Sequence, residues 1–428
     1  IEKDGVSMGL NTTMQGDRIQ ITIYGKRNAG KSSIINAITG QDIAIVSDVK
    51  GTTTDPVSKA MEILPLGPCM VTDTPGLDDE GELGAKRIEK ALRVLDKTDI
   101  VLLVSDISSV TAADLNSSRG LPAGERQIID LAEEKRLPYI IVLNQTDRID
   151  VEMAEEIKEI VSAKNPGNQV CLTSVLDNTG IEGLKEQLVS VLPQTSKELG
   201  IIDGLAGQGD IVLLVVPVDS AAPKGRLIMP QQQVIRDLLD HHAAAVVTQV
   251  PGIKNMLGLL GDKVKMVITD SQAFKEVSEA VPDKIPLTSF SILFARHKGS
   301  LKKLVEGVAA VESLKDGDKV LIAEGCTHRR QCEDIGTVKI PAWLKEHSGK
   351  QLCIETCSGA DFPKDLSRYS LVIHCGGCTL NEKEMKHRIQ SAGSQGVPIV
   401  NYGIFIAYVN GILKRSIELF PSVASLIN

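Results

Sequence analysis

Residues 18–40, "RIQITIYGKRNAGKSSIINAITG", decide how the rest of the chain is read. Ile19 to Tyr24 alternate apolar and polar side chains, the two-residue period of a strand, and from Lys31 the apolar spacing turns helical. Between them, Gly25 to Ser32 fits G-x-x-x-x-G-K-S in the strand–loop–helix setting that a phosphate-binding loop requires. Glycines let main-chain N–H groups curl around phosphates, and the helix N-terminus adds partial positive charge. Gly25, Asn28, Ala29, Gly30, Lys31, Ser32 and Ser33 are therefore the expected cradle. Lys31 reaches the β- and γ-phosphates in such a loop, and the Ser32 hydroxyl binds Mg²⁺.

Further segments follow in an order that suits a nucleotide switch. "KGTTTDP" (50–56) is a polar loop able to order around a γ-phosphate, with Thr53 as a second hydroxyl ligand of Mg²⁺. "MVTDTPGLDD" (70–79) ends an apolar strand on Asp73, placed to hold the metal's water shell, and Gly76 brings a main-chain N–H to the γ-phosphate. Lys31, Thr53, Asp73 and Gly76 make up the expected catalytic set. "YIIVLNQTD" (139–147) delivers Asn144 and Asp147, and a carboxylate there accepts from guanine but is left unpaired by adenine. "CLTSVLDNTGIEGL" (171–184) adds Ser174 and Val175 beside the base.

Together these segments resemble the signature set of the Era/TrmE-like GTPases. That resemblance implies GTP and GDP as ligands and slow hydrolysis. It also implies a K⁺ ion held by Asn28 in the work of an arginine finger; the plainer reading of Asn28 is a loop residue tolerant of unusual dihedrals. Two positions depart from familiar GTPases. Gln145 replaces the lysine of Asn-Lys-x-Asp, whose stem packs on the base, so weaker binding is expected; Leu77 stands where Ras-like proteins carry a water-orienting glutamine.

A chain of 428 residues is too long for one core, and its 42% apolar and 24% charged content is that of an ordinary globular protein. No apolar run approaches the roughly 18 residues of a membrane span, and no secretion signal opens the sequence, which reads as a leftover leader before Met8. A net charge of −8 argues against a nucleic-acid partner. A cytoplasmic location, with neither nucleic acid nor membrane as partner, is expected.

Past a linker expected near residues 195–208 the motifs stop. "DIVLLVVPV" (210–218) and "PQQQVIRDLLDHH" (230–242) begin a strand–helix alternation with no chemistry of its own, read as an interaction or dimerisation layer. His241 and His242 read as dipole-compensating residues at a helix end. The division expected is a P-loop domain over 1–197, an interaction domain over 205–290 and a third domain over 291–428. The fold class is α/β throughout, a P-loop domain followed by two smaller domains with mainly parallel sheets.

Eight cysteines are too few for a secreted disulfide scaffold, so clustered ones read as metal ligands or catalytic groups. Cys69, Cys171, Cys353 and Cys357 lie in or beside strand-like runs and read as small buried hydrophobes. "EGCTHRRQCEDIG" (324–336) and "SLVIHCGGC" (370–378) differ, because "KVLIAEGC" (319–326) reads as a strand ending at Cys326 and "SLVIHCGGC" as a strand ending at Cys375 and Cys378, and ligands collect at the C-terminal ends of parallel strands. Cys375-Gly-Gly-Cys378 has the spacing at which two thiolates share one metal centre. Cys326, Cys375 and Cys378 leave a fourth position to His328, Glu333, His374 or Cys332, or the set closes around zinc.

The GTPase head, the middle layer and "EGCTHR", "VKIPAWL" and "HCGGCTLN" together resemble the GTPases that mature [FeFe]-hydrogenases, over essentially the whole chain. The resemblance implies a [4Fe–4S] cluster on Cys326, Cys375 and Cys378, with an exchangeable fourth ligand from His328, Glu333 or His374. It implies a scaffold carrying the diiron precursor of the hydrogenase site, a homodimer built through the middle domain, and radical-SAM maturases and apo-[FeFe]-hydrogenase as partners. The alternative weighed against it is a translation- or tRNA-associated GTPase with a structural zinc module.

Overall fold

The computed structural model describes residues 18–40, 57–76, 92–192, 200–217, 227–325 and 334–427. Contacts divide the chain into two units, Asp17–Ser196 and Lys197–Asn428.

The first unit is built on β1 (Ile19–Tyr24), β2 (Val57–Ile63), β3 (Gly67–Asp73), β4 (Ile100–Asp106), β5 (Tyr139–Asn144) and β6 (Gln169–Thr173), in the order β2-β3-β1-β4-β5-β6. Every pairing is parallel except that of β2 with β3. Strands β4 and β5 are near-continuous apolar runs because helices cover both faces of the sheet. On one face lie α1 (Lys31–Thr39), through Ile34, Ile35 and Ile38, and a helix over Ile181–Ser190, through Leu184 and Leu188. On the other lie α2 (Ala123–Glu134), through Ile128 and Ile129, and α3 (Val151–Lys164), through Ile157 and Val161.

The second unit holds two four-stranded parallel sheets. The first, in the order β10-β9-β7-β8, uses β7 (Ile211–Val215), β8 (Ala244–Thr248), β9 (Val264–Thr269) and β10 (Leu287–Ser289). The second, in the order β12-β11-β13-β14, uses β11 (Lys319–Glu324), β12 (Cys353–Ser358), β13 (Leu371–His374) and β14 (Ile399–Asn401). One hydrophobic core running from Ile201 to Val423 takes in both sheets.

Several expectations change in detail. Part of the expected linker is packed, with Ile202 fully buried and Ile201 nearly so. The helical apolar period of "FIAYVNGILKRSIELF" (405–420) predicts one closing helix, but the structure has two, Tyr402–Val409 and Leu413–Ile417, because Gly411 turns the chain at φ 72°. Strands β11 and β13 stop at Glu324 and His374, so Cys375 and Cys378 belong to the following loop. Cys69 and Cys171 are buried as expected, whereas Cys353 is exposed because β12 is an outer strand of its sheet.

Candidate functional sites: a nucleotide cradle and a thiolate loop

The first site forms at the ends of β3, β1 and β5, with β3 beside β1 and β4 between β1 and β5. Gly25 has φ 154°, and a Cβ there would lie 2.1 Å from the Val104 carbonyl oxygen. Gly30 has φ 90°, and its Cβ would lie 2.3 Å from Asn144 Nδ2. A side chain cannot fit at Gly25, where the Val104 carbonyl closes in, or at Gly30, where the Asn144 amide closes in and the positive φ itself favours glycine. Asn28 also adopts a left-handed φ of 63°, which supports the plainer reading of that residue, and its side chain is exposed. Lys31 Nζ donates to the carbonyls of Gly25 (3.0 Å) and Lys26 (2.8 Å), on the inner side of the loop.

Ser32 Oγ donates to Asp73 Oδ2 at 3.0 Å, joining two of the three expected Mg²⁺ residues. Burial pushes the Asp73 carboxyl above its ordinary range, against the opposing pull of the Lys31 ammonium and the Ser32 hydroxyl. Asp73 Oδ1 is buried with no hydrogen-bond partner among the described residues. A buried carboxylate oxygen left over beside a serine hydroxyl and a lysine suits a hydrated divalent cation. Thr74 anchors this corner by donating its hydroxyl to the Ile23 carbonyl at 2.7 Å. Ser33 and Gly76 flank the same corner in sequence, whereas Thr53 and Leu77 lie outside the described residues.

The base-reading residues divide their labour. Asn144 is buried, donates to the Ala29 carbonyl at 3.0 Å and accepts from Thr173 Oγ1 at 3.1 Å, so its amide ties the phosphate loop to β6. Asp147 is exposed and accepts from Ser174 Oγ at 2.9 Å, which leaves it free to meet a base edge; Val175 follows in the same loop. Gln145 has φ 66° and donates through Nε2 to the Asn28 carbonyl at 2.8 Å. It forms a second strut between the two loops, which its identity as a departure from the family motif did not disclose.

The second site lies past the ends of β11 and β13, where Ala323 pairs with His374. Cys375 N donates to the Ala323 carbonyl (2.9 Å), and Cys375 Sγ accepts from the N–H groups of Gly325 (3.0 Å) and Gly377 (3.4 Å). Two main-chain donors on one sulfur, at the end of adjacent parallel strands, suit a thiolate ligand. Gly377 makes this possible with φ 66°. Glu324, 7% exposed, approaches the Tyr402 hydroxyl at 3.4 Å. Burial and then the neighbouring Cys375 and Glu324 charges raise the Tyr402 pKa. Cys326, His328, Cys332 and Glu333 lie outside the described residues, and among the described residues no group of three metal-ligating side chains is assembled.

His374 is fully buried and occupied at both ring nitrogens. Arg388 donates to Nε2 at 3.0 Å, so the ring proton sits on Nδ1 and is donated to the Cys375 carbonyl at 2.8 Å. Burial, aided by the Arg388 guanidinium, pushes its pKa down to about 3. His374 is thus an orienting group for the cysteine loop, and no ring nitrogen is left over for a metal. Arg388, 1% exposed, also donates to the Gly359 carbonyl and Glu384 Oε1, both at 2.6 Å, and lies 4.9 Å from the centre of the Phe362 ring. The sequence carried one sign of this network, the Glu384/Arg388 spacing of four on a helix.

A phosphate-binding loop, a strand-end aspartate bonded to its serine, and an exposed aspartate on the base loop define a P-loop GTPase domain. Residues 20–145 match the family model described as a 50S ribosome-binding GTPase. Residues 201–299 match the hydrogen maturase F dimerization domain, and residues 302–419 match the hydrogen maturase F tetramerization domain. The chain belongs to the hydrogen maturase F family. Curated relatives include the tRNA modification GTPase MnmE of Acetivibrio thermocellus, 27% identical over 55% of this chain and 48% of the relative. GTPase Der of Wolinella succinogenes is 34% identical over 42% of this chain and 37% of the relative. The chain therefore spans about half or less of the length of these relatives. Among solved structures, Era of Aquifex aeolicus bound to GDP·AlF4⁻ aligns with 57% of this chain and 98% of its own, at 17% identity and a TM-score of 0.34.

Proposed function

We propose that this protein is a GTP-hydrolysing iron–sulfur scaffold that carries the diiron precursor of the [FeFe]-hydrogenase active site. The observation that carries the reading is Cys375 Sγ, which receives two main-chain N–H groups at the paired ends of β11 and β13, in a chain of the hydrogen maturase F family. Cys326, Cys375 and Cys378 would hold a [4Fe–4S] cluster, with Glu333 or His328 at the fourth iron. The cluster supplies an iron whose fourth ligand can exchange when cargo arrives. His374 holds the Cys375 main chain, and Arg388 fixes the tautomer of His374.

At the first site Lys31 binds β- and γ-phosphate oxygens, Ser32, Thr53 and Asp73 hold Mg²⁺, and Gly76 meets the γ-phosphate. Asp147 reads guanine, while Asn144, Ser174 and Val175 shape the base loop. Asn28 would hold K⁺, so hydrolysis should be faster in KCl than in NaCl. The domain limits proposed are 1–197, 205–290 and 291–428, the middle one forming a homodimer. The outer position of β8 and the exposure of its Val247 support that assignment. Radical-SAM maturases would load the scaffold and the apo-hydrogenase would receive its cargo, in the cytoplasm. No helix among the described residues is long and apolar enough to cross a membrane.

Anaerobic reconstitution with ferrous iron and sulfide tests the proposal. A brown protein with iron and sulfide in equal amounts, lost in Cys375→Ala, is expected. A colourless chain retaining one zinc would overturn it in favour of a GTPase with a structural zinc module.

A further inference from the structure

The cysteine loop ends in a tight turn. Leu380 N donates to the Gly377 carbonyl at 3.0 Å, which puts Cys378 and Thr379 at the two corners between them. Several polar groups around that turn are committed. Gly377 N donates to Cys375 Sγ at 3.4 Å, and Lys298 Nζ donates to the carbonyls of Cys378 (3.4 Å) and Leu380 (3.1 Å). Asn381 Oδ1 accepts from Glu384 N at 2.9 Å, capping the helix Glu382–Ser394. The Thr379 hydroxyl differs: its oxygen is buried and has no hydrogen-bond partner among the described residues.

Thr379 as a whole is only partly buried, and a threonine at such a position can ordinarily turn its hydroxyl to water. Hiding the hydroxyl costs its hydration unless something takes the hydrogen bond. A polar atom left over in this way calls for a water, an ion or a bound group. The chemistry of the loop favours the last. It already directs two main-chain donors, from Gly325 and Gly377, at the sulfur of Cys375. Thr379 adds a side-chain donor directly after the second cysteine, and thiolates and inorganic sulfides are acceptors for such donors.

We infer that the Thr379 hydroxyl is a hydrogen-bond donor to the bound cluster, meeting a ligand thiolate or an inorganic sulfide. This rests on the scaffold reading above. A donor to sulfur favours the more anionic, reduced cluster and so raises its potential. In the unloaded chain the same hydroxyl has nothing to donate to and only costs its desolvation. Removing it should therefore have opposite consequences in the unloaded and the loaded protein.

The test uses the full chain with Thr379→Val, which keeps the outline of the side chain and removes the hydroxyl, and Thr379→Ser, which keeps the hydroxyl. In the unloaded chain, Thr379→Val should leave unchanged or raise the urea midpoint of the transition that GDP does not shift. A lowered midpoint, or a variant that does not fold, would show that the hydroxyl already serves a structural partner and overturns the inference. After anaerobic loading with ferrous iron and sulfide, the valine variant should bind as much iron as the wild type. Its cluster should have a lower midpoint potential and lose iron to a chelator about tenfold faster. The serine variant should match the wild type in both. A wild-type potential in Thr379→Val overturns the inference even if iron is lost faster, because the hydroxyl would then serve a buried water and not the cluster. A wild type that takes up no iron overturns the scaffold reading and this inference with it, whereas a loaded wild type beside an unmoved variant overturns the inference alone.

Discussion

Glu125 offers the sharpest prediction for the GTPase unit. It lies in the first turn of α2, is 1% exposed, and its Oε2 has no hydrogen-bond partner among the described residues. Burial raises its pKa from the ordinary 4.5 to about 7, outweighing the Ser105 hydroxyl and the Lys26 ammonium, which both pull it down. Because the folded state holds this proton more tightly, the unfolded state loses it first as pH rises. Folding stability should therefore fall between pH 4.5 and 7 and level off above that range. At about 1.36 kcal/mol per pH unit the penalty reaches roughly 3 kcal/mol at pH 8. Glu125→Gln keeps the shape and removes the titration. Urea denaturation of the full chain by far-UV circular dichroism should give equal midpoints for variant and wild type near pH 4.5. At pH 8 the variant should be more stable by roughly 3 kcal/mol, in the transition that shifts on adding GDP. A variant no more stable than wild type at pH 8, or one whose advantage grows toward low pH, would refute the account of a buried, proton-holding carboxyl.

Three further outcomes follow from the two sites. Lys31→Ala should abolish GTP turnover and leave iron uptake intact, and undiminished phosphate release would show the cradle misassigned. Gln145→Lys can keep the bond to the Asn28 carbonyl while adding a stem that packs on the base, so GDP affinity by calorimetry should rise several-fold, about 1 kcal/mol; equal or weaker binding would show that the strut, not the stem, is what this position supplies. Arg388→Met strands Glu384, the Gly359 carbonyl and His374 Nε2 in partly or fully buried surroundings. It should cost the second unit about 3 kcal/mol by urea denaturation, with part recovered by adding Glu384→Gln. A loss within experimental error would mean that the network is not holding the cysteine loop.

The parts of this protein legible in its sequence are those where chemistry dictates residue type at a fixed spacing. A phosphate loop needs glycines where Cβ atoms cannot fit, and Gly25 and Gly30 are such positions. Parallel strands covered on both faces must be apolar runs, so β4, β5, β7, β11 and β13 announce themselves. What was hidden is long-range partnership. Nothing local in "SFSILFARHK" says that its final lysine reaches Cys378, eighty residues on, or that His374 spends both ring nitrogens on a neighbour's carbonyl and a buried arginine. The break at Gly411 is likewise invisible locally, because one glycine within an otherwise helical period gives little warning that the chain turns there.

The core shared by the two sheets has a practical consequence. Family models part the second unit between residues 299 and 302, yet the apolar interior runs unbroken from Ile201 to Val423. Cutting the gene at that seam would leave each fragment with a bare oily wall, so expressing the cysteine-bearing half by itself should yield inclusion bodies rather than a minimal cluster carrier. The smallest piece worth cloning for spectroscopy starts near residue 200 and keeps everything after it.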